Sequence, residues 1–139
     1  MPKAIHFIFN PSEIGAGTRG ASLGPEAIRA AARTKGSTLF ADHEVKTIAH
    51  FNELLDRKSP YPFAKNIDGL QKVFVSLAQN ISQSIEQNAF PLLIAGDHSS
   101  AAGTLAALKK KFPDQRIGVI WIDAHADIHS PYTTPSGNM

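Results

Sequence analysis

The chain has 139 residues, with 14 Lys and Arg against 12 Asp and Glu, 42% hydrophobic and 19% charged content, and no cysteine. That excludes disorder by composition, a disulfide-built scaffold and thiol catalysis, and the near balance of charge leaves no nucleic-acid footprint. The length holds one globular unit at most, so residues 1–139 are expected to be part of a single domain with no second one.

Residues 4–9 form a short run rich in Ile and Phe, which predicts a first strand closing at Asn10-Pro11. Gly15, Gly17, Gly20 and Gly24 then mark a glycine-rich loop. It lacks both the P-loop Lys-Ser/Thr and the Gly-x-Gly-x-x-Gly spacing, so an active-site loop is expected rather than a phosphate cradle. Pro25 suits a first helical turn, and 26–33 continues with Ala-rich helix formers. Residues 45–51 alternate as a strand would, with Val45, Thr47, Ala49 and Phe51 on one face and Lys46, Ile48 and His50 on the other. An irregular connection over 52–63 leads to 66–88, where Ile67, Leu70, Val73, Phe74, Leu77, Ile81 and Ile85 recur at helical spacing and predict a core-facing stripe.

A strand over 91–95, a helix over 99–111 and a strand over 117–122 complete a β-α-β-α-β-α-β order. Such alternation means an α/β fold, a parallel sheet with helices on its faces. Lys109-Lys110-Lys111 falls late in the third helix, where cations favour the dipole, so it reads as a solvated helix end. His6, His43 and His50 lie far from the other polar clusters and read as surface or core histidines. No run approaches the roughly 18 apolar residues of a membrane span, and the first residues lack the apolar heart of a signal peptide. A cytoplasmic protein with no membrane partner is the expectation.

Chemistry concentrates at two strand ends. Asp123-Ala124-His125-Ala126-Asp127 directly follows the apolar run 117–122, and Gly96-Asp97-His98-Ser99 follows 91–95. In a short non-helical turn side chains two apart point the same way, so Asp123, His125 and Asp127 can converge. Carboxylate with imidazole suits Mn(II), Fe(II), Co(II) or Zn(II), and two of each are enough to begin a two-metal hydrolytic site. Asp97 can equally belong to a turn, with Ser99 or Ser100 capping the following helix. Desolvating two carboxylates at a buried strand end without a cation costs several kcal/mol, which is why Asp-x-His-x-Asp is the stronger signal.

These two clusters, together with Thr133-Thr134-Pro135-Ser136-Gly137-Asn138, Arg19-Gly20 and Gly24-Pro25-Glu26-Ala27-Ile28-Arg29, resemble the ureohydrolase family, and within it the arginases most closely. The resemblance implies a three-layer α/β/α arginase-like fold, here incomplete. It implies two Mn2+ ions per complete site, His98 and Asp127 on one, His125 on the other and Asp123 bridging both. A metal-bridging hydroxide would attack the guanidinium carbon of L-arginine, giving L-ornithine and urea. Thr134 and Ser136 fall where arginases bind the substrate's α-carboxylate, and Asn138 lies in the same recognition loop. His129 stands where they commonly have asparagine, which keeps agmatinase, guanidinobutyrase and formiminoglutamase open as alternatives. The family's proton-shuttle histidine should follow Met139 and its Asp-x-Asp pair lies much further on, so no catalytic residue is assigned within 1–139. The chain then reads as the N-terminal half of an enzyme that is a homo-oligomer when complete, inactive alone, or as a non-catalytic assembly module. In the family, strands from the second half lie between the strand ending at Ala95 and the one ending at Ile122.

Overall fold

The middle of β1 (Ile5–Asn10), Phe7-Ile8-Phe9, is buried on both faces, as a strand at the centre of a parallel sheet must be. The computed structural model describes residues 4–138. Along the chain β1 is followed by α1 (Gly24–Thr34), β2 (Glu44–Thr47), α2 (Ile67–Glu86), β3 (Phe90–Ala95) and α3 (Ser100–Lys111), with single 3-10 turns at Ala21–Leu23 and Asn52–Asp56. The three strands are parallel and ordered β2-β1-β3. Phe7 pairs with Val45 on one side and Leu92 on the other.

Alternation along β1 divides the core between two layers. Ile8 joins Leu70, Val73, Leu77 and Ile81 of α2 and Ala107 of α3 in one buried cluster. Phe7 and Phe9 point the opposite way onto Phe40, with ring centroids 4.7 and 5.6 Å apart. On the first face α3 packs along α2, while α1 contacts β3. The α2 stripe read from spacing is thus the core stripe, and the α/β class with a parallel sheet is the observed fold. Lys109 donates to the Pro113 and Gln115 carbonyls just past the end of α3, and Lys111 pairs with Glu86. Both are the behaviour of a solvated helix terminus.

Two predicted strands differ. The second stops at Thr47 instead of running to residue 51, although the Ile48 amide still bonds the Phe9 carbonyl at 3.0 Å. Phe51 has φ 58° and packs against the same cluster as Ile48, so the alternate-face assignment fails once the chain turns. The other correction concerns 117–122, which is not a strand. A strand exists through its ladder, and this segment finds no ladder partner among the described residues. Its apolar side chains are left outside, with Ile120 90% and Ile122 94% exposed.

Candidate metal centre and substrate cleft

The carboxyl ends of β1 and β3 set the floor of the site. Gly96 leaves β3 with its amide on the Asn10 carbonyl at 2.8 Å, and a Cβ there would lie 2.5 Å from the Ser12 carbonyl oxygen. Only glycine permits this approach without a backbone shift. Asp97 is buried, and its carboxylate accepts the Ser99 amide and hydroxyl through one oxygen and the Gly15 and Ala16 amides through the other. Neither Ser99 nor Ser100 caps α3 with its side chain, as the sequence suggested. Instead Asp97 bonds the Ser99 amide, and the Ser100 hydroxyl accepts the Asn10 side-chain amide at 2.7 Å.

The glycine-rich loop is ordered by carboxylates. Glu13 is 2% exposed and accepts the Gly20 and Ser22 amides, both at 2.8 Å, with the Arg19 guanidinium 3.8 Å away. The donors a phosphate cradle would use are therefore taken by Asp97 and Glu13. Burial opposes ionisation of Glu13, but the Ser22 and Gly20 hydrogen bonds and the Arg19 charge outweigh it and hold the carboxyl below its ordinary 4.5. A depressed folded value means that this stabilisation is complete above about pH 4.5 and is lost as pH falls through the lowered value. Urea denaturation at pH 7 and pH 3.5 is expected to show a larger loss in the natural chain than in Glu13→Gln. Equal losses would remove Glu13 from this account.

Beyond α3 the chain returns to the same sheet edge. The His98 Nδ1 lies 3.1 Å from Asp127 Oδ2 and 3.8 Å from Asp123 Oδ2. His98, Asp123 and Asp127 each offer a ligand atom, and these atoms all lie within 4.8 Å of one another. His125 stands apart from that trio with its ring largely in solvent, Nδ1 3.7 Å from the other Asp123 oxygen. Asp123 thus sits between two imidazoles. Its carboxyl is held below 3.8 chiefly by the His125 amide, against a smaller burial effect and with help from the His98 and His125 rings. Asp127 has φ 51°, a left-handed conformation that Asp tolerates better than most residues and that breaks the simple two-residue alternation expected here.

Trp121 donates its indole N–H to Asp127 Oδ2 at 3.2 Å, a contact the sequence reading did not foresee. A tryptophan next to a cluster of acceptors was the available signal, since its N–H needs a partner.

His98, His125 and Asp127 line a cleft of about 610 Å³ together with His129, Thr134, Ser136 and Asn138. Gly15, Ala16, Phe63, Pro131 and Pro135 form the remaining walls with Ser130. Thr134 Oγ1 accepts the Gly137 amide and Ser136 Oγ accepts the Asn138 amide, which leaves each hydroxyl proton free to donate. The Asn138 side chain donates to the Ala16 carbonyl at 2.8 Å, and the His129 Nδ1 lies 3.3 Å from Thr133 Oγ1. His6, His43 and His50 take no part: His6 lies by Glu44 and Ser84, His43 beside Phe7, and His50 accepts the Asn52 amide.

Residues 3–139 match the model of the Arginase family. The chain belongs to the arginase family. It is 39% identical over 142 residues to the arginase of Staphylococcus aureus strain COL, covering 99% of this chain and 46% of that protein. It is 33% identical to the arginase of Bacillus subtilis strain 168, covering 100% of this chain and 46% of the other. Among solved structures, the Entamoeba histolytica arginase in complex with L-ornithine superposes with a TM-score of 0.80 at 29% identity, over 98% of this chain and 46% of that one. The native Bacillus caldovelox arginase gives 0.76 at 30% identity, over 99% and 46%. This arginase-family chain thus spans about half the length of the relatives it matches, and its incomplete sheet is an incomplete arginase-like sheet.

Proposed function

We propose that the chain is the N-terminal part of a single arginase-like catalytic domain, holding two manganese ions and hydrolysing L-arginine to L-ornithine and urea. The observation that carries this reading is the meeting of His98, Asp123 and Asp127 in space, next to a cleft shared with Thr134, Ser136 and Asn138. The donor set fits the metal. An ion held at about 2.1 Å by nitrogen and oxygen separates opposite ligand atoms by at most about 4.2 Å, so the trio needs only a shift of roughly half an ångström. His98 and Asp127 would hold one ion, His125 the other, and Asp123, flanked by both imidazoles, would bridge them. When bound, the ions supply Lewis acidity and lower the pKa of a water to near neutrality.

The chain's own residues do the rest. The free hydroxyl protons of Thr134 and Ser136 and the side chain of Asn138 receive a carboxylate. Phe63, Pro131 and Pro135 shelter an aliphatic stem from water, and the metal end lies beside His98, His125 and Asp127. A cleft with a hydroxyl-lined end, apolar walls and an acidic metal end is complementary to a guanidino acid. His129 favours a second reading, since an imidazole in the cleft can meet a different tail, that of agmatine, guanidinobutyrate or formiminoglutamate. No helix among the described residues is long and apolar enough to cross a membrane; a cytoplasmic, homo-oligomeric enzyme belongs to the same proposal.

The test is hydrolysis by a completed form, the chain continued to the length of its relatives. With Mn(II) it is expected to release urea from L-arginine faster than from agmatine or guanidinobutyrate, and the 139-residue chain alone to release almost none. A completed form that prefers agmatine, guanidinobutyrate or formiminoglutamate to L-arginine would shift the assignment to the second reading.

A further inference from the structure

Asp97 is a buried acidic group beside the cleft to which the metal reading gives no role. It adjoins His98 in sequence, yet its two oxygens are already committed to the amides of Gly15, Ala16 and Ser99 and to the Ser99 hydroxyl. A carboxylate so occupied has little left for a cation. Its partners at Gly15 and Ala16 lie 82 and 81 residues away in sequence and are wall residues of the cleft. The same loop is gripped from its other side, where the Asn138 amide donates to the Ala16 carbonyl. The grip is close: at Gly17, φ 69°, a Cβ would stand 2.6 Å from Asn138 Oδ1. The chain of contacts therefore runs from the His98 turn through Asp97, Gly15 and Ala16 to Asn138, from the metal end of the cleft to its recognition end.

We propose that Asp97 is a positioning residue: it fixes the Gly15–Ala16 wall and, through the Ala16 carbonyl, the side chain of Asn138, so that it sets the distance between metal and recognition ends. The proposal rests on reading the cleft as a guanidino-acid site. A carboxylate is required because all the groups facing it are donors, and in Asp97→Asn one oxygen becomes an N–H₂ that confronts them. The metal ligands themselves are left in place, so the loss falls on substrate binding.

In the completed form, Asp97→Asn is expected to raise KM for L-arginine about tenfold while kcat and Mn(II) affinity stay within about threefold. Asp97→Glu, which keeps both acceptors, should recover part of that loss. Asn138→Ala leaves the clamp intact and cuts only its far end. It is expected to raise KM similarly, and the double variant to be little worse than either single one. Hydrogen exchange reads the clamp without activity: the Gly15 and Ala16 amides lose protection in Asp97→Asn and keep it in Asn138→Ala. If the completed form hydrolyses no amidine, the functional reading fails, while exchange still decides whether Asp97 holds the loop. Additive KM effects, unchanged exchange at Gly15 and Ala16, or a fall in Mn(II) affinity as large as the KM change would each overturn the proposal.

Discussion

Asp123→Asn is expected to cost the completed enzyme more than any other single change at the site, lowering Mn(II)-dependent urea release by well over 100-fold. The scale follows from position: loss of an outer hydrogen-bonding partner typically costs about 10–100-fold in metal affinity or activity, and a bridging carboxylate acts on both ions at once. Asp123 is placed for that role, with His98 Nδ1 3.8 Å from one oxygen and His125 Nδ1 3.7 Å from the other. His129→Asn touches neither ion and should change KM and substrate preference with far less loss of turnover. Parallel kinetics of the two variants check this, and a larger loss from His129→Asn would make the imidazole part of the chemistry.

A second large effect is expected in the 139-residue chain itself. The two edges of its sheet are unlike. The β2 edge carries Glu44 and Lys46, paired at 3.1 Å, and such charges discourage edge pairing. The β3 edge is Phe90-Pro91-Leu92-Leu93-Ile94-Ala95, uncharged throughout, with only Pro91 lacking a donor. Beside it lies an apolar groove of about 390 Å³ lined by Ile85, Phe90, Leu93, Leu108 and Phe112. Residues 117–122 do not re-pair with it, and Ile120 and Ile122 stay exposed. The chain alone is therefore expected to associate with copies of itself through β3 as its concentration rises. Sedimentation over a concentration series, with hydrogen exchange on β3, tests this. A monomer at every concentration, with the β3 and 117–122 amides unchanged, is the outcome this reasoning cannot accommodate.

Local signals were enough where the rest of the chain supplies an element's partners. The α2 stripe, Leu70, Val73, Leu77 and Ile81, was legible because helical spacing alone selects a buried face, and β1 and β3 because unbroken apolar runs mark the strands of a parallel sheet. The segment 117–122 has the same kind of sequence and yet no ladder, because a strand is defined by neighbours that its own residues do not encode. At the site, residue types marked His98, Asp123, His125 and Asp127 as candidate metal donors, and the fold brings His98, Asp123 and Asp127 together. Their spacing did not announce that Asp127 would turn through φ 51° while His125 stayed apart from the trio. The roles of Asp97, Glu13 and Trp121 were hidden for another reason. They depend on amides and carboxylates brought together across long sequence separations, as between Asp97 and Gly15.

The central claim, that Asp123 joins two metal sites of which this chain holds the N-terminal ligands, is tested most directly by counting ions. Equilibrium dialysis of the completed form against Mn(II) is expected to give two ions per chain, with Asp123→Asn weakening both and His129→Asn neither. Two ions bound equally well by the natural form and by Asp123→Asn would contradict it.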